Sequence, residues 1–461
     1  MTTTLVMPEE VTAVIEGAAR ESLETAGVVL ATRLDSVNGD MRLLARRVNL
    51  IGDEAYVERT RDRLCIASEG YVHSLGEAER LGAVAIWFHT HPGENAIPIP
   101  SRHDHKVDRE IADLFRLRSG SELYGTLVVS PRAEGLTFSG TLQPETGARI
   151  AIDRLWQVGD QWRLTQAFQT RRKEVSSIFS RSVHAFGPAI QGALGDLRIG
   201  IVGCGGTGSA ISEQLVRLGV RHLTLIDPDH LTASNVTRVY GSTPKDVDRP
   251  KVEVLRNHLL AIAPDLECDA IVSTVTLETT ARRLAGHDLV FGCTDDNAGR
   301  LVLSRLATYL LTPVIDVGVL LSSNADGILT GINGRVTTLT TGSACLVCRD
   351  RVDLARAAAE LRTPEERRRL EDEGYAPALG AVEPAVVAFT TAVAAAAVGE
   401  LLERLIGYGP RPRPNEVLLR LHDREISTNA ASPRKGHYCD PASGKLGSVA
   451  TPFLEQVWPE I

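Results

Sequence analysis

Apolar runs alternate with helical periodicity in the second half of the chain and predict a parallel α/β unit there. The run Ile199–Val202 leads into a glycine-rich turn, after which apolar residues recur at helical spacing until a second run closes on Asp227. Further apolar runs at 289–293 and 314–319 are additional strand candidates. Strands and helices that alternate in this way are typical of a parallel sheet with crossover helices.

The first 150 residues have a less regular pattern, which predicts a mixed α+β domain. Apolar residues at three- and four-residue spacing indicate helices at 9–24 and 104–118. Strand-like runs lie at 27–34, 42–49, 83–89 and 124–130. We therefore expect a mixed domain at 1–150, a helical connector at 151–185, a doubly wound domain at 186–430 and a loosely packed tail at 431–461.

The composition is that of an ordinary globular chain and disfavours several classes of function. The net charge of −8 over 461 residues gives no reason to expect nucleic acid or an anionic membrane as a partner. The most apolar segment, 385–398, is shorter than the roughly 20 residues that span a bilayer, so we expect a buried helix there. The first residues lack the basic start and apolar core of a signal peptide. Seven cysteines without a disulfide framework indicate a reducing, cytoplasmic setting.

One group of candidate metal ligands lies in the first domain. His89 and His91 end a predicted strand, and the two-residue period of a strand directs both imidazoles to the same face. Asp104 follows in the segment Ser101–Asp104. Two imidazoles and a carboxylate form a three-ligand zinc site with a fourth position open to water. The same residues are also consistent with an exposed histidine pair and an ordinary helix capping box.

With this pattern the first 150 residues resemble the JAMM/MPN family of zinc isopeptidases. The resemblance implies that His89, His91 and Asp104 bind zinc and that Ser101 helps to stabilise the oxyanion. Glu24 matches the catalytic glutamate that takes the proton of the attacking water, with Glu21 as the rival for this role. Nine residues separate His91 from Ser101, which is more than is usual in the family.

Charged residues follow the glycine turn of the second unit in an order that favours ATP over a dinucleotide. Asp227 and Asp229 end the second strand, and Arg238 and Lys251 can hold phosphates. Asp295, after another apolar strand, can hold Mg²⁺. An Asp-Asp pair at a strand end is equally typical of a helix cap.

From about 181 to 430 the chain resembles the ThiF/MoeB and ubiquitin-activating enzyme superfamily. The shared marks are GxGGxGS, D-x-D, N-x-x-R, a lysine, CTD with a downstream arginine, and CxxC. The resemblance implies that the glycines and D-x-D bind ATP, that Asp227 binds its ribose, and that Asp295 binds magnesium. It also implies that Asn235, Arg238 and Lys251 contact the phosphates. The residues concerned are Gly203, Gly205, Gly206, Gly208, Asp227, Asp229, Asn235, Arg238, Lys251 and Asp295.

Arg181 matches the arginine that reaches a neighbouring active site in dimers of that superfamily, and a solvated linker arginine is the alternative interpretation. Relatives that form a thioester carry a cysteine after the CxxC, whereas residues 349–430 contain none. The corresponding region has only Tyr375, so we expect adenylylation without a conventional thioester. A charged helix is predicted to begin at the capping box Thr363–Glu366.

Cys345 and Cys348 form half of a zinc site, and the second CxxC of many relatives is missing. His437 and Cys439 can complete four ligands. A metal-free turn is the alternative.

The two resemblances together imply a bifunctional enzyme. One half would adenylate the C-terminal carboxylate of a small ubiquitin-like or sulfur-carrier protein ending in Gly-Gly, using ATP and Mg²⁺. The other half would cut bonds at such termini with Zn²⁺, and a homodimer is expected. Three alternatives stay open: a peptide-adenylating enzyme of a natural-product pathway, a sulfur-releasing hydrolase, and a half that is an inactive binding module.

Overall fold

The computed structural model describes residues 1–170, 175–324, 326, 328–362, 366, 369 and 385–459. Thr363 to Glu365, where the charged helix is predicted to begin, and Tyr375 lie outside these residues. The chain forms two compact units. The first comprises Met1–Arg172 with Gly447–Val449, and the second comprises Lys173–Leu446 with Ala450–Ile461.

The first unit is a mixed sheet with helices on both faces. Its strands are β1 (Thr3–Pro8), β2 (Ala26–Asp35), β3 (Met41–Leu50), β4 (Tyr56–Arg59), β5 (Leu64–Ile66), β6 (Val84–Thr90), β7 (Leu123–Pro131), β8 (Leu136–Pro144), β9 (Ile150–Ala151), β10 (Arg154–Val158) and β11 (Arg163–Gln166). Its helices are α1 (Glu9–Arg20), α2 (Glu69–Leu81) and α3 (Arg102–Ser119). The strand order in the main sheet is β11-β10-β1-β3-β2-β6-β7-β8-β9, and β4 pairs with β5 separately.

The alternation of side chains along β6 positions the candidate metal ligands. Phe88 belongs to the core on the α1 side of the sheet. Trp87 belongs to the core on the other side, where it contacts Phe115 of α3 edge to face with ring centroids 6.3 Å apart. Because residues two apart share a face, His89 lies on the same side as Trp87 and α3. The first turn of α3, which contains Asp104, therefore lies on the face that carries His89.

The expected helical connector at 151–185 is wrong over most of its length. Residues Arg154–Val158 form β10, which pairs in parallel with β1 and antiparallel with β11. Trp156 and Trp162 are buried, and helix α4 begins only at Ser180. Helix α1 likewise ends at Arg20 rather than at residue 24. The strand pairing of 154–158 depends on Thr4 to Pro8, about 150 residues away, so periodicity within the segment could not reveal it.

The second unit is a doubly wound sheet with an antiparallel extension. Its strands are β12 (Arg198–Val202), β13 (His222–Ile226), β14 (Glu267–Ile271), β15 (Leu289–Gly292), β16 (Val314–Ser323), β17 (Leu329–Leu339), β18 (Glu416–Arg420) and β19 (Glu425–Thr428). Its helices are α4 (Ser180–Asp196), α5 (Gly206–Arg217), α6 (Lys251–Ile262), α7 (Glu278–Arg283), α8 (Asn297–Tyr309), α9 (Leu354–Glu360) and α10 (Val387–Ile406).

The strand order of this sheet contains a reversal of the kind beside which α/β proteins bind their ligands. Strands β14-β13-β12-β15-β16 are parallel, and β17, β18 and β19 continue the sheet antiparallel. The order reverses between β12 and β15, and ligands of open α/β sheets bind at the carboxyl ends of the strands at such a point. The glycine turn begins directly after β12. The Rossmann-like arrangement expected from the sequence is confirmed.

The apolar segment at 385–398 belongs to α10, which buries Val393, Ala394, Ala397 and Val398 as expected. The helices of the described ranges include none with the length and apolar character that crossing a membrane requires. The loosely packed tail expected at 431–461 is wrong, because Cys439 and Phe453 are buried. The tail packs because its residues complete a cluster of thiols and an imidazole described below.

Glu416, at the start of β18, is a fully buried carboxylate whose charge we expect to stabilise the fold. Arg351 Nη2 and Asn429 Nδ2 donate to Oε2 at 2.8 and 2.7 Å. Burial by itself raises the pKa of Glu416, but these hydrogen bonds outweigh it and lower the pKa to about 2. Because the pKa is lower in the folded state than its ordinary value of 4.5, the charged carboxylate stabilises the fold. This stabilisation is fully present above pH 4.5 and is lost as the pH falls towards about 2.

Glu416→Gln should therefore lower the free energy of unfolding at pH 7 by about 3 kcal/mol and flatten its dependence on pH below about 4.5. Urea unfolding followed by far-ultraviolet circular dichroism measures both quantities. Glu425→Gln, at an exposed pair with Arg420, is the matched control. Equal loss of stability in the two variants would contradict the prediction.

Candidate functional site

The turn between β12 and α5 requires glycine at two positions because of close backbone approach. Gly203 has φ +91°, and a Cβ atom there would lie 2.6 Å from the carbonyl oxygen of Cys293. A Cβ at Gly208 would lie 1.9 Å from the carbonyl oxygen of Gly203. At Gly205 a Cβ would meet no described atom within 4 Å, and no side chain caps α5. The first N–H groups of α5 therefore face an open space that suits a phosphate group.

Asp227 ties two loops together at the end of β13. Its Oδ2 accepts a hydrogen bond from the Cys204 N–H at 2.7 Å, and its Oδ1 accepts one from the Asp229 N–H at 2.9 Å. Its burial raises the pKa of this carboxyl. Lys251 Nζ lies 3.9 Å away and donates to Asp229 Oδ2 at 2.6 Å. The structure thus brings both acids of the D-x-D motif together with the lysine, and the ribose-binding role of Asp227 stays a prediction.

Arg238 lies across the start of α5. The nearest atoms to a Cβ built at Gly206 include Arg238 Cγ and Cδ, both at 3.4 Å. Its Nη1 donates to the carbonyl oxygen of Ser234 at 3.1 Å. Asn235 is buried, and its Oδ1 accepts from the Thr232 N–H at 3.3 Å. This asparagine shapes the loop that places the Arg238 side chain against the glycine turn.

The acidic pair after β15 divides into a cap and an exposed carboxylate. Asp296 is the N-cap of α8 and accepts from the Gly299 N–H. Asp295 is exposed and takes no part in that cap. The residues just before the pair lie against Gly203. A Cβ atom built at Gly203 would be 2.8 Å from the Thr294 backbone nitrogen. The capping role expected for one aspartate therefore belongs to Asp296, and Asp295 follows directly on a residue that lies against the glycine turn. The magnesium-binding role of Asp295 stays a prediction.

Helix α10 contributes side chains to this region that the sequence pattern did not reveal. Thr390 Oγ1 lies 3.2 Å from a Cβ built at Gly206. Tyr240 bridges two elements, because its N–H donates to Ser209 Oγ at 3.0 Å and its hydroxyl lies 3.0 Å from Thr391 Oγ1. Two adjacent threonines in the apolar first half of this helix were the available signal. Arg181 is exposed in the first turn of α4, and its reach into a neighbouring active site stays a prediction.

Three thiols and one imidazole meet within the second unit. Cys345, Cys348, His437 and Cys439 bring their ligand atoms within 4.8 Å of one another. His437 Nδ1 lies 3.5, 3.4 and 3.3 Å from the three sulfur atoms in that order. Tetrahedral zinc with bonds of about 2.3 Å to sulfur and 2.0 Å to nitrogen separates its ligands by roughly 3.5 to 3.8 Å. The donor set and its spacing therefore fit zinc. Hydrogen bonding from Cys439 lowers the pKa of the Cys345 thiol.

The first unit holds a second cluster of possible ligands. His89, His91 and Asp104 also bring their ligand atoms within 4.8 Å of one another. His89 Nε2 is buried, lies 3.6 Å from Asp104 Oδ2, and has no hydrogen-bond partner among the described residues. His91 Nδ1 lies 2.8 Å from the carbonyl oxygen of Ile97 and donates to it, which leaves Nε2 as the free lone pair. An orphaned imidazole nitrogen beside a carboxylate fits a zinc ligand set.

Asp104 also belongs to a capping box, as the alternative interpretation of the sequence expected. Its backbone N–H donates to Ser101 Oγ at 3.2 Å, and its Oδ2 accepts from the Ser101 N–H at 2.6 Å. Burial by itself raises the pKa of Asp104, but the nearby His89 and the hydrogen bonds of Ser101 outweigh it and lower the pKa. The cap holds a charged carboxylate in place beside the histidines.

Glu24, rather than Glu21, lies next to this cluster. Glu24 is buried, and the charges of His89 and Asp104 act on it. Burial raises its pKa to about 7. Its backbone is held by the Arg59 guanidinium, which donates to the Glu24 carbonyl oxygen at 2.9 Å. Glu21 is exposed at the end of α1.

Comparison with known proteins relates the second unit to one family. Residues 179–440, more than half of the chain, match the ThiF family. A molybdopterin-synthase adenylyltransferase from Escherichia coli is 33% identical over 164 residues, covering 35% of this chain and 62% of the relative. A SAMP-activating enzyme E1 from Haloferax volcanii is 26% identical over 162 residues, covering 35% of this chain and 56% of the relative.

Among solved structures, E. coli MccB with MccA-N7isoASN matches with a TM-score of 0.45 and 16% identity, over 57% of this chain and 74% of that one. The chain spans about half to six-tenths of the length of the curated relatives it matches.

Proposed function

The chain belongs to the ThiF family, and from this premise we propose that its second unit adenylates the C-terminal carboxylate of a small ubiquitin-like or sulfur-carrier protein. A carboxylate oxygen attacks the α-phosphorus of ATP, the bond to the β-phosphate oxygen breaks, and pyrophosphate leaves. The observation that carries the proposal is the convergence of Arg238, Lys251 and the D-x-D acids on the glycine turn.

Each of these groups has a role that its position supports. The open N-terminus of α5 receives a phosphate group, and the guanidinium of Arg238 and the ammonium of Lys251 balance the charge that develops on pyrophosphate. Asp227 binds the ribose, and Asn235 keeps Arg238 in position. Mg²⁺, when bound at Asp295, would neutralise phosphate charge. Adenylate formation of this type depends on positioning and charge, and needs no nucleophile from the protein.

The proposed partner follows from the names of the relatives. They include adenylyltransferases for molybdopterin synthase and for the sulfur carrier protein ThiS, and a SAMP-activating enzyme. We extend this to a carrier ending in Gly-Gly and to a homodimer in which Arg181 reaches the neighbouring site.

The test is ATP–pyrophosphate exchange by the native chain with such carriers and, separately, with short peptides. Exchange that only peptides support would favour the peptide-adenylating alternative, and absence of both exchange and ATP binding would refute the proposal.

We also expect the adenylate to be passed on without a conventional thioester. Residues 349–430 contain no cysteine. A carrier incubated with the native chain and ATP should therefore give no adduct that a reducing agent cleaves, as judged by mass spectrometry. An adduct abolished by a single Cys→Ala change, at Cys439 for example, would contradict this.

For the first unit we propose a zinc hydrolase that cuts amide or isopeptide bonds at the same class of C-terminus. Support comes from the buried, orphaned Nε2 of His89, from the charged Asp104 beside it, and from the buried Glu24 next to both. Zinc, when held by His89, His91 and Asp104, would act as a Lewis acid towards water and the carbonyl group. Glu24 takes a proton from the attacking water and returns it to the leaving amine as the C–N bond breaks. The Ser101 hydroxyl donates to the developing oxyanion.

These assignments predict about two zinc ions per chain, one in each cluster. His89→Ala should lower the zinc content by about one ion without changing the thermal stability of the second unit. Cys348→Ser should also remove about one ion, but with loss of stability, because it opens a cluster that joins the tail to the rest of the unit. Atomic absorption together with thermal unfolding checks both variants. A native chain that holds only about one zinc ion, with the same content in His89→Ala, would make the first unit a binding module rather than a hydrolase.

A further inference from the structure

Two guanidinium groups converge over Gly318 on one face of the second unit's sheet. Arg300 comes from α8, and Arg335 stands opposite Gly318 in the register of β16 and β17. A Cβ atom at Gly318 would lie 3.3 Å from Arg335 Nη2 and 3.8 Å from Arg300 Nη2. The absence of a side chain at this position therefore gives both cations room to lie close to the strand.

One carboxylate lies between these cations and leaves Arg300 incompletely bonded. Asp316 is fully buried, and its Oδ2 accepts from Arg335 Nη2 at 2.6 Å. Arg300 Nε lies 3.6 Å from Asp316 Oδ1, which is too long for a hydrogen bond. Within the part of the chain that the structure describes, neither of these two buried atoms has a hydrogen-bond partner. Arg300 therefore has N–H groups available to donate hydrogen bonds to a ligand, and its side chain is 17% exposed.

Further arginines add positive charge to this face. Arg351 pairs with Glu416, which also lies 3.9 Å from Arg335. Arg349 is buried, and its two Nη atoms have no hydrogen-bond partner among the described residues. We call Arg300, Arg335, Arg349 and Arg351 the arginine cluster. Two paired carboxylates, those of Asp316 and Glu416, lie among its four cations, and the charges of Asp350 and Cys345 also act on Arg351 and Arg349.

The arginine cluster lies close to the glycine turn. Asp316 is in register with Gly292, the last residue of β15. The next residue, Cys293, is half-buried, its thiol is influenced by the charges of Asp316 and Arg300, and its carbonyl oxygen lies against Gly203. The cluster is therefore at the carboxyl ends of the parallel strands, beside the position that the proposed function assigns to ATP.

We propose that the arginine cluster binds the C-terminal carboxylate of the substrate before adenylylation, with Arg300 as the positioning residue. This inference rests on the proposed function. The incoming carboxylate and the phosphates of ATP repel each other, and a planar guanidinium with available donors matches a carboxylate geometrically. Arg335 and Arg351 already donate to Asp316 and Glu416. Arg300 is the member that is both partly exposed and free of a side-chain hydrogen bond among the described residues.

Isothermal titration calorimetry with a short synthetic peptide ending in Gly-Gly, as free acid and as C-terminal amide, tests this assignment. The native chain should bind the acid on the order of 10-fold more tightly than the amide. Arg300→Gln should reduce that preference to less than about twofold, and Arg300→Lys should restore part of it. The affinity for the amide and for ATP should stay unchanged. Arg283→Gln, which removes an arginine of α7 paired with Asp269, is the matched control.

Three results would overturn the inference. The first is a native chain that binds ATP but does not bind the acid more tightly than the amide. The second is an Arg300→Gln variant that retains the native preference. The third is a loss of about 10-fold or more in ATP affinity in that variant, which would assign Arg300 to a phosphate group instead. A native chain that binds no ATP refutes the proposed function itself. Thermal unfolding reports whether Arg300→Gln is folded, and if it is not, the comparison of Arg300→Lys with the native chain decides.

Discussion

Replacing Lys251 by alanine is expected to lower the rate of ATP–pyrophosphate exchange by about 10²- to 10³-fold. The ammonium group lies at the start of α6 between Asp227 and Asp229, with only 12% of its side chain exposed. A preorganised cation in a partly dehydrated site stabilises developing phosphate charge far more than a solvated one does. Exchange of labelled pyrophosphate into ATP, with a saturating carrier protein, measures the effect.

Lys245→Ala is the matched control, since this lysine is exposed in the loop before α6. The control should retain native exchange. Calorimetric titration of both variants with ATP separates binding from chemistry, and thermal unfolding shows whether the variants are folded. Native exchange in Lys251→Ala would mean that the ion pairs with Asp227 and Asp229 only stabilise the loop.

Replacing Glu24 by glutamine is expected to lower the rate of isopeptide cleavage by about 10²- to 10⁴-fold while zinc binding is retained. The substitution preserves the size of the side chain and removes its ability to accept a proton as a carboxylate. Cleavage of a carrier protein joined through its C-terminal glycine to a reporter peptide measures the rate, and zinc analysis of the same sample shows whether the metal remains.

Glu21→Gln is the control here, because Glu21 is exposed and was the rival for the same role. It should cleave at the native rate. A variant at Glu24 that cleaves normally, beside one at Glu21 that does not, would reverse the assignment. If neither substitution matters while His89→Ala abolishes cleavage, a proton acceptor other than these two glutamates is required.

Elements defined by local periodicity could be predicted from the sequence. The helix expected at 104–118 is Arg102–Ser119, and the apolar run at 199–202 is part of β12. Each of these segments carries its own signal, an apolar face at helical spacing or a short apolar run bounded by polar residues. The glycine turn was equally evident, because Gly203 and Gly208 occupy positions where backbone atoms leave no room for a Cβ atom.

Elements that depend on distant partners were missed. Strand β10 pairs with β1, and the tail is held by His437 and Cys439 against Cys345 and Cys348. The tail was expected to be loosely packed, although His437 and Cys439 were possible ligands beside Cys345 and Cys348. Strand β10 has no pattern that indicates its partner, which lies far away along the chain. The role of α10 beside the glycine turn was missed for the same reason.

The sequence by itself determined the family, the glycine turn, and the types of residue available for phosphate and metal binding, because these properties depend on residue identity and short spacing. Only the tertiary structure placed Glu24 rather than Glu21 beside the histidine cluster, assigned the helix cap to Asp296 rather than Asp295, and joined two half-clusters into one group of four possible metal ligands. It also brought Arg300 and Arg335 together over Gly318. These outcomes depend on burial and on contacts between strands and helices remote in sequence, which no local pattern encodes.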